Sequence, residues 1–182
     1  KLGDSCKVEI DEWPSREDYA NGHIVANYAE KADTQLIIPT TLMDFDLPHV
    51  FGADVMAEAD TFKEPGARER KGRIDLRELP LVTIDGEDAR DFDDAVYAAK
   101  RPGGGFRLIV AIADVSHYVR PGSALDTEAQ KRGTSVYFPN HVVPMLPEVL
   151  SNGLCSLKPQ VDRLCMVCDM NLSRAGRVTG YE

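Results

Sequence analysis

The stretch DDAVYAAKRPGGGFRLIVAIADV, residues 93–115, decides the fold. Two runs rich in apolar and β-branched residues flank the turn-forming RPGGG, which predicts an antiparallel hairpin. The second run ends in VAIADV, apolar but for Asp114, the pattern of a central strand covered on both faces.

Outward from the hairpin, LPLVTID (79–85) reads as a further strand that runs into a dense group of acids. Downstream, PGSALDTEAQKRG (121–133) is punctuated as a helix. Ser123 is its N-cap with Asp126 three residues on, Lys131 and Arg132 lie in the last turn, and Gly133 follows the end. TSVYFP returns as a strand, VPMLPEVLSNG gives a short helix with Pro147 near its start, and 161–172 is another strand. The terminal GRVTGYE predicts no element.

At the other end, Cys6 to Ile10 and His23 to Tyr28 read as two strands, the second after an Asn-Gly turn signal. Two strands are marginally stable alone, so the sequence is expected to enter partway through a small β domain. Residues 34–73 change character: two short helices separated at Leu47 and Pro48, with Val55, Met56, Ala59 and Phe62 forming an apolar stripe. KEPGARERKG (63–72) then has the composition of an exposed linker. The fold class is α+β, a mixed sheet with short helices, without internal repeats or low-complexity tracts.

With 43% hydrophobic residues the 182-residue chain can form a real core. A formal net charge of −9 argues against a protein that wraps nucleic acid through a general basic surface. No apolar run approaches a membrane span and no secretory hydrophobic region opens the sequence, so a cytoplasmic, membrane-free protein is expected. Cys6, Cys155, Cys165 and Cys168 do not form a secreted disulfide pattern. Cys165 and Cys168 fall three apart on an expected strand, which sends their thiols to opposite faces and disfavours a shared zinc.

Much of the acidity is local. In VTIDGEDARDFDDA (82–95), five Asp and one Glu stand against a single Arg. Carboxylates so close repel one another, and a hard divalent cation such as Mg²⁺ resolves the conflict while leaving positions for water and phosphate. Phosphodiester hydrolysis needs such a cation. Asp85 closes a strand, Asp91 and Asp93 share a side of an extended chain, and Asp94 takes the other. A catalytic metal site, a structural cation site and a solvated acidic loop all fit this pattern. Gly86 directly after the first Asp fits an EF-hand poorly. The Asp-x-Asp at Asp91 lacks the preceding hydrophobic strand of haloacid-dehalogenase-type phosphatases. The same three-residue signature also occurs in sugar-nucleotide transferases, and spacing alone does not exclude it.

Three blocks, LPLVTIDGEDARDFDDAVY (79–97), VAIADVSHYVRPGSALDTEAQKRGTSVYFP (110–139) and VVPMLPEVLSNGLCSLKPQVDRLCMVCDM (142–170), closely resemble the bacterial ribonuclease R branch of the ribonuclease II exoribonucleases. The resemblance covers residues from about 73 to 182. It implies a processive 3′ to 5′ hydrolase that acts on the 3′ end of single-stranded RNA with Mg²⁺, Mn²⁺ being a possible substitute, and releases 5′ mononucleotides. Carried onto this chain, it makes Asp85, Asp91, Asp93 and Asp94 the catalytic and metal-binding acids. Asp85 and Asp94 resemble direct ligands, Asp93 the acid indispensable for chemistry, and Asp91 a helper for a second ion. Tyr137 in GTSVYFP matches the tyrosine that stacks on a base near the RNA end; from the residues alone, a tyrosine in an apolar strand is ordinarily core. Glu87 and Asp88 read as solvated loop acids, and His117, without a carboxylate or nucleophile partner in sequence, as structural.

A looser match, carried by ANGHIVANY (20–28), likens residues 1–33 to the end of the cold-shock-type oligonucleotide-binding β-barrel that precedes the catalytic domain in this family. Trp13, Arg16 and Tyr19 are its candidate RNA contacts. Residues 34–73 then form a helical linker region and 74–182 the first part of a truncated catalytic domain. The chain is expected to be a fragment with the aspartate motif but little hydrolysis of its own, from a protein that is monomeric and does not take DNA as its main substrate. The competing readings are a non-catalytic RNA-binding or assembly module and a metal-dependent phosphatase.

Overall fold

The computed structural model describes residues 4–14, 19–28 and 33–182. Its contacts divide the chain into two compact units, at residues 1–48 and 49–182. The composition instead suggests a boundary at 73.

In the first unit, β1 (Cys6–Glu12) pairs antiparallel with β2 (Asn21–Asn27), and α1 (Asp33–Asp44) follows. The pair is a twisted ribbon with irregularities at Lys7/Val8 and Ile10/Glu12. Asn21 and Gly22 make no tight turn: they are the first residues of β2, paired with Glu12 and Ile10. Pro39 sits inside α1 and supplies no N–H to the preceding turn. One residue on, the Thr40 hydroxyl donates to the Leu36 and Ile37 carbonyls at 2.7 and 3.0 Å.

The second unit begins with α2 (Ala53–Ala59) and a single helical turn, α3 (Ala67–Arg70). Three of the four residues of the expected stripe face the core: Val55 and Ala59 are buried and Phe62 packs against the same core, whereas Met56 is exposed. The segment with linker composition is held to this unit. Arg70 pairs with Asp162, and Arg73 reaches the buried Asp114 at 2.6 Å.

The expected hairpin forms as β3 (Asp94–Lys100) and β4 (Phe106–Ala113), in register from Asp94 opposite Ile112 to Lys100 opposite Phe106. Its turn needs glycine. Gly105 has φ 81°, and a Cβ there would stand 2.1 Å from the Leu172 carbonyl oxygen. After β4 come α4 (Val115–Tyr118), α5 (Ala124–Arg132), β5 (Val136–Phe138), β6 (His141–Val143), a π-helical turn at Val149–Leu154, β7 (Cys165–Leu172) and β8 (Val178–Tyr181). The main sheet is antiparallel in the order β3-β4-β7-β8, and β5-β6 is a separate small hairpin. The fold is thus a mixed α and β architecture with antiparallel sheets and short helices.

Three expectations are corrected here. LPLVTID is no strand; Val82 alone bridges Val96, while Ile84 beyond it is 83% exposed and has no strand to pair with. The terminal segment does form an element, β8, because Gly176 at φ 76° lets residues 173–177 turn the chain back onto β7. β4 is central, but it is covered mainly on one face: Ile109, Ala111 and Ala113 are buried, whereas Ile112 is 46% exposed.

The punctuation of α5 holds. Ser123 Oγ accepts from the Asp126 N–H at 3.2 Å, and Gly133 ends the helix at φ 73°. From α2, Glu58 Oε2 accepts the Leu125 N–H at 2.9 Å and caps the same helix end. Leu125, Leu146, Leu150, Leu154, Tyr118 and Cys155 gather with α2 into one core. Burying a leucine of this kind stabilises the fold by roughly 2 kcal/mol.

Candidate active site

The acid run lies between the Val82–Val96 bridge and the first residue of β3. Residues 83–93 form no regular element, but their backbone is held. The Ala89 N–H donates to the Gly86 carbonyl, the Ala113 N–H to the Asp93 carbonyl at 2.9 Å, and the Leu157 N–H to the Phe92 carbonyl at 2.9 Å. The Phe92 N–H donates to Ser156 Oγ at 3.1 Å, and the Ser156 hydroxyl donates to the Arg90 carbonyl at 2.7 Å.

Asp94, in register with Ile112, stands on the open face of the sheet, while the next residue, Ala95, is buried on the other. Partial desolvation pushes the Asp93 carboxyl above its ordinary value, and the charges of Asp91, Asp94 and Asp85 add to the rise. The charges of the other three aspartates are therefore felt at Asp93. Among the described residues, however, no three His, Cys, Asp or Glu side chains converge closely enough to hold a metal ion. Repulsion among ionised carboxylates opposes such convergence. As a donor set the four acids suit a hard divalent cation: every donor is a carboxylate oxygen, and Asp93 shows charge crowding that a cation would relieve.

Tyr137 projects from the small β5-β6 hairpin, 65% exposed rather than buried in a core. Its hydroxyl donates to Asp91 Oδ2 at 2.9 Å, and that bond raises the Tyr137 pKa above the ordinary phenol value. A flat aromatic face thus lies open to solvent beside the acids.

The other candidates separate from this site. Glu87 and Asp88 are exposed. Tyr118 is core, where burial pushes its hydroxyl up to about 12, and His117 packs edge-on against its ring. Cys165 pairs with Ala113 and Cys168 with Val110, positions of opposite parity on β4, so the two thiols leave opposite faces. All four cysteines are free, and burial pushes the Cys155 thiol up to about 12. On the ribbon of the first unit Trp13 and Tyr19 are exposed, at 81% and 94%, while Arg16 lies outside the described residues.

Sequence reasoning missed Ser156. A fully buried hydroxyl within the apolar GLCSL must find hydrogen-bond partners, and that requirement was its signal. It also missed the Arg73–Asp114 pair, because the arginine lies where the composition resembles a linker.

A family model described as the RNB domain matches residues 73–182. The chain belongs to the RNB-domain family. Within that family it is 56% identical to the ribonuclease R of Escherichia coli (strain K12) over 183 residues, covering 100% of this chain and 22% of that protein. Among solved structures it is similar to Mycoplasma genitalium RNase R in complex with double-stranded RNA, with a TM-score of 0.86 and 34% identity over 98% of this chain and 32% of that one. The same RNase R in complex with ribose-methylated single-stranded RNA gives a TM-score of 0.84 at 34% identity, over 96% of this chain and 27% of that one. The chain therefore spans about a fifth of the length of the curated RNB relatives it matches.

Proposed function

We propose that these residues belong to a 3′ to 5′ exoribonuclease, in which Asp85, Asp91, Asp93 and Asp94 hold Mg²⁺ and Tyr137 stacks on a base near the RNA end. The observation that carries the reading is the crowding of carboxylate charge at Asp93 with the exposed Tyr137 ring beside it. RNA phosphates are anionic and would be repelled by this loop, which makes a divalent cation a requirement for substrate approach. Mg²⁺, when bound, supplies charge neutralisation and an acidified water for phosphodiester hydrolysis. The four aspartates fix its place on the sheet edge. Asp85 and Asp94 serve as ligands, Asp93 carries the charge nearest the chemistry, and Asp91 supports a second ion. The Tyr137 ring positions the strand whatever its sequence, since stacking is tolerant of base identity.

RNA as the substrate is supported by the RNA-bound RNase R structures that the chain resembles at 34% identity. The first unit, with exposed Trp13 and Tyr19, fits the end of an oligonucleotide-binding domain that guides single strands.

The products test this reading. A protein of the relatives' full length carrying these residues, given single-stranded RNA and Mg²⁺, is expected to release nucleoside 5′-monophosphates from the 3′ end. Internal cuts, or phosphate released from monoesters without shortening of the RNA, would overturn it.

A further inference from the structure

We infer that Ser156 is the positioning residue of the acid run, the group that fixes where Asp91 and Asp93 stand for metal binding. The inference rests on the metal reading above and goes beyond it to a residue outside the aspartate motif.

Ser156 is fully buried, on the segment that follows the π-helical turn, and its hydroxyl is used twice. It accepts the Phe92 N–H at 3.1 Å and donates to the Arg90 carbonyl at 2.7 Å. With the Leu157 N–H on the Phe92 carbonyl at 2.9 Å, both backbone polar groups of Phe92 are tied to residues 156–157. Phe92 is the residue between Asp91 and Asp93. Apart from the Asp93 carbonyl, which accepts the Ala113 N–H at the end of β4, residues 90–93 have no strand partner among the described residues, and these bonds stand in for the ladder that would otherwise set the direction of the two carboxylates.

Ser156 is itself held. Its carbonyl accepts from Arg163 Nε at 2.9 Å and from the Lys158 N–H at 2.8 Å. Arg163, nearly buried, also pairs with Glu64. A hydroxyl that is both donor and acceptor, fixed on its own backbone, can hold a loop whose charges push apart.

The test uses the metal alone. Mn²⁺ binding to a protein of the relatives' full length carrying these residues is measured by electron paramagnetic resonance for wild type, S156A and S151A, with amide hydrogen exchange on the same samples without metal. Ser151 is the control, a half-buried serine of the π-helical turn whose hydroxyl oxygen is buried with no hydrogen-bond partner among the described residues. S156A is expected to weaken Mn²⁺ binding about 10-fold or more, the usual cost of losing a group that orients ligands. It should also speed exchange over residues 88–94 while α5 stays protected, and S151A should change neither. Should S156A fail to fold, S156C, similar in volume with a weaker donor, is expected to show the same local effect in smaller measure. Mn²⁺ binding within twofold of wild type in the folded Ser156 variant, or exchange that rises equally in α5, overturns the inference. A wild-type protein that takes no Mn²⁺ overturns the metal reading and this inference with it, and that result is visible before any variant is compared.

Discussion

The Tyr137 hydroxyl donates to Asp91 Oδ2 at 2.9 Å, across 46 residues of sequence. The bond joins the aromatic expected to carry an RNA base to one of the acids expected to carry the metal.

Removing the ring and removing the hydroxyl should therefore separate two functions. Tyr137→Ala is expected to weaken single-stranded RNA binding by about 1–3 kcal/mol, the value of one base stacked on an aromatic. Tyr137→Phe keeps the ring and loses only the bond to Asp91, so RNA affinity should stay within about twofold while the Mg²⁺ dependence shifts. Fluorescence anisotropy with labelled RNA over a Mg²⁺ series distinguishes them; equal losses of RNA affinity in both variants would remove the stacking role.

The Arg73–Asp114 pair predicts a pH dependence of stability. Burial alone would raise the Asp114 carboxyl, but hydrogen bonds from Ser116, Arg73 and the His117 N–H outweigh it and hold the group below its ordinary value of 3.8. A depressed carboxyl stabilises the fold above its unfolded value, and that contribution is lost as pH falls through the folded one. Asp114→Ala should cost about 2–3 kcal/mol at pH 7, below the full cost of breaking a buried pair because Arg73 can rehydrate. The gap from wild type should narrow below about pH 4. Urea titrations at several pH values check this, and a gap that does not change with pH would refute it.

The doubly capped start of α5 yields a further expectation. Ser123→Ala and Glu58→Ala each free one N–H at the helix end and should each destabilise the chain by about 1 kcal/mol. For a chain of this size that corresponds to a melting temperature lower by roughly 2–4 °C. Thermal unfolding followed by circular dichroism reads it directly. No shift in Ser123→Ala would mean that the cap contributes nothing.

Local chemistry made some of these features legible in sequence. The RPGGG hairpin and the Ser123-to-Gly133 helix were readable because each signal lies within a few residues of the bond it specifies. LPLVTID misleads because a strand needs a partner, and beyond Val82 none is present. β8 escaped because its pattern is short and depends on the turn at Gly176. The identity of the four acids was carried by resemblance, whereas the support of their backbone by Ser156 and the bond from Tyr137 are long-range contacts that no local window contains. Arg73 illustrates the same limit: its neighbours resemble a linker, yet its partner lies 41 residues away, just beyond the end of β4.

Whether the acid run is a working metal site for RNA hydrolysis is read most directly by following 5′-labelled single-stranded RNA in Mg²⁺ or in chelator. The protein tested carries these residues at the relatives' full length, as wild type and as Asp94→Asn. Wild type is expected to shorten the RNA progressively to a small end product in Mg²⁺ alone, with Asp94→Asn nearly inert while still binding RNA. Turnover unchanged by Asp94→Asn, or undiminished in chelator, would contradict the metal reading.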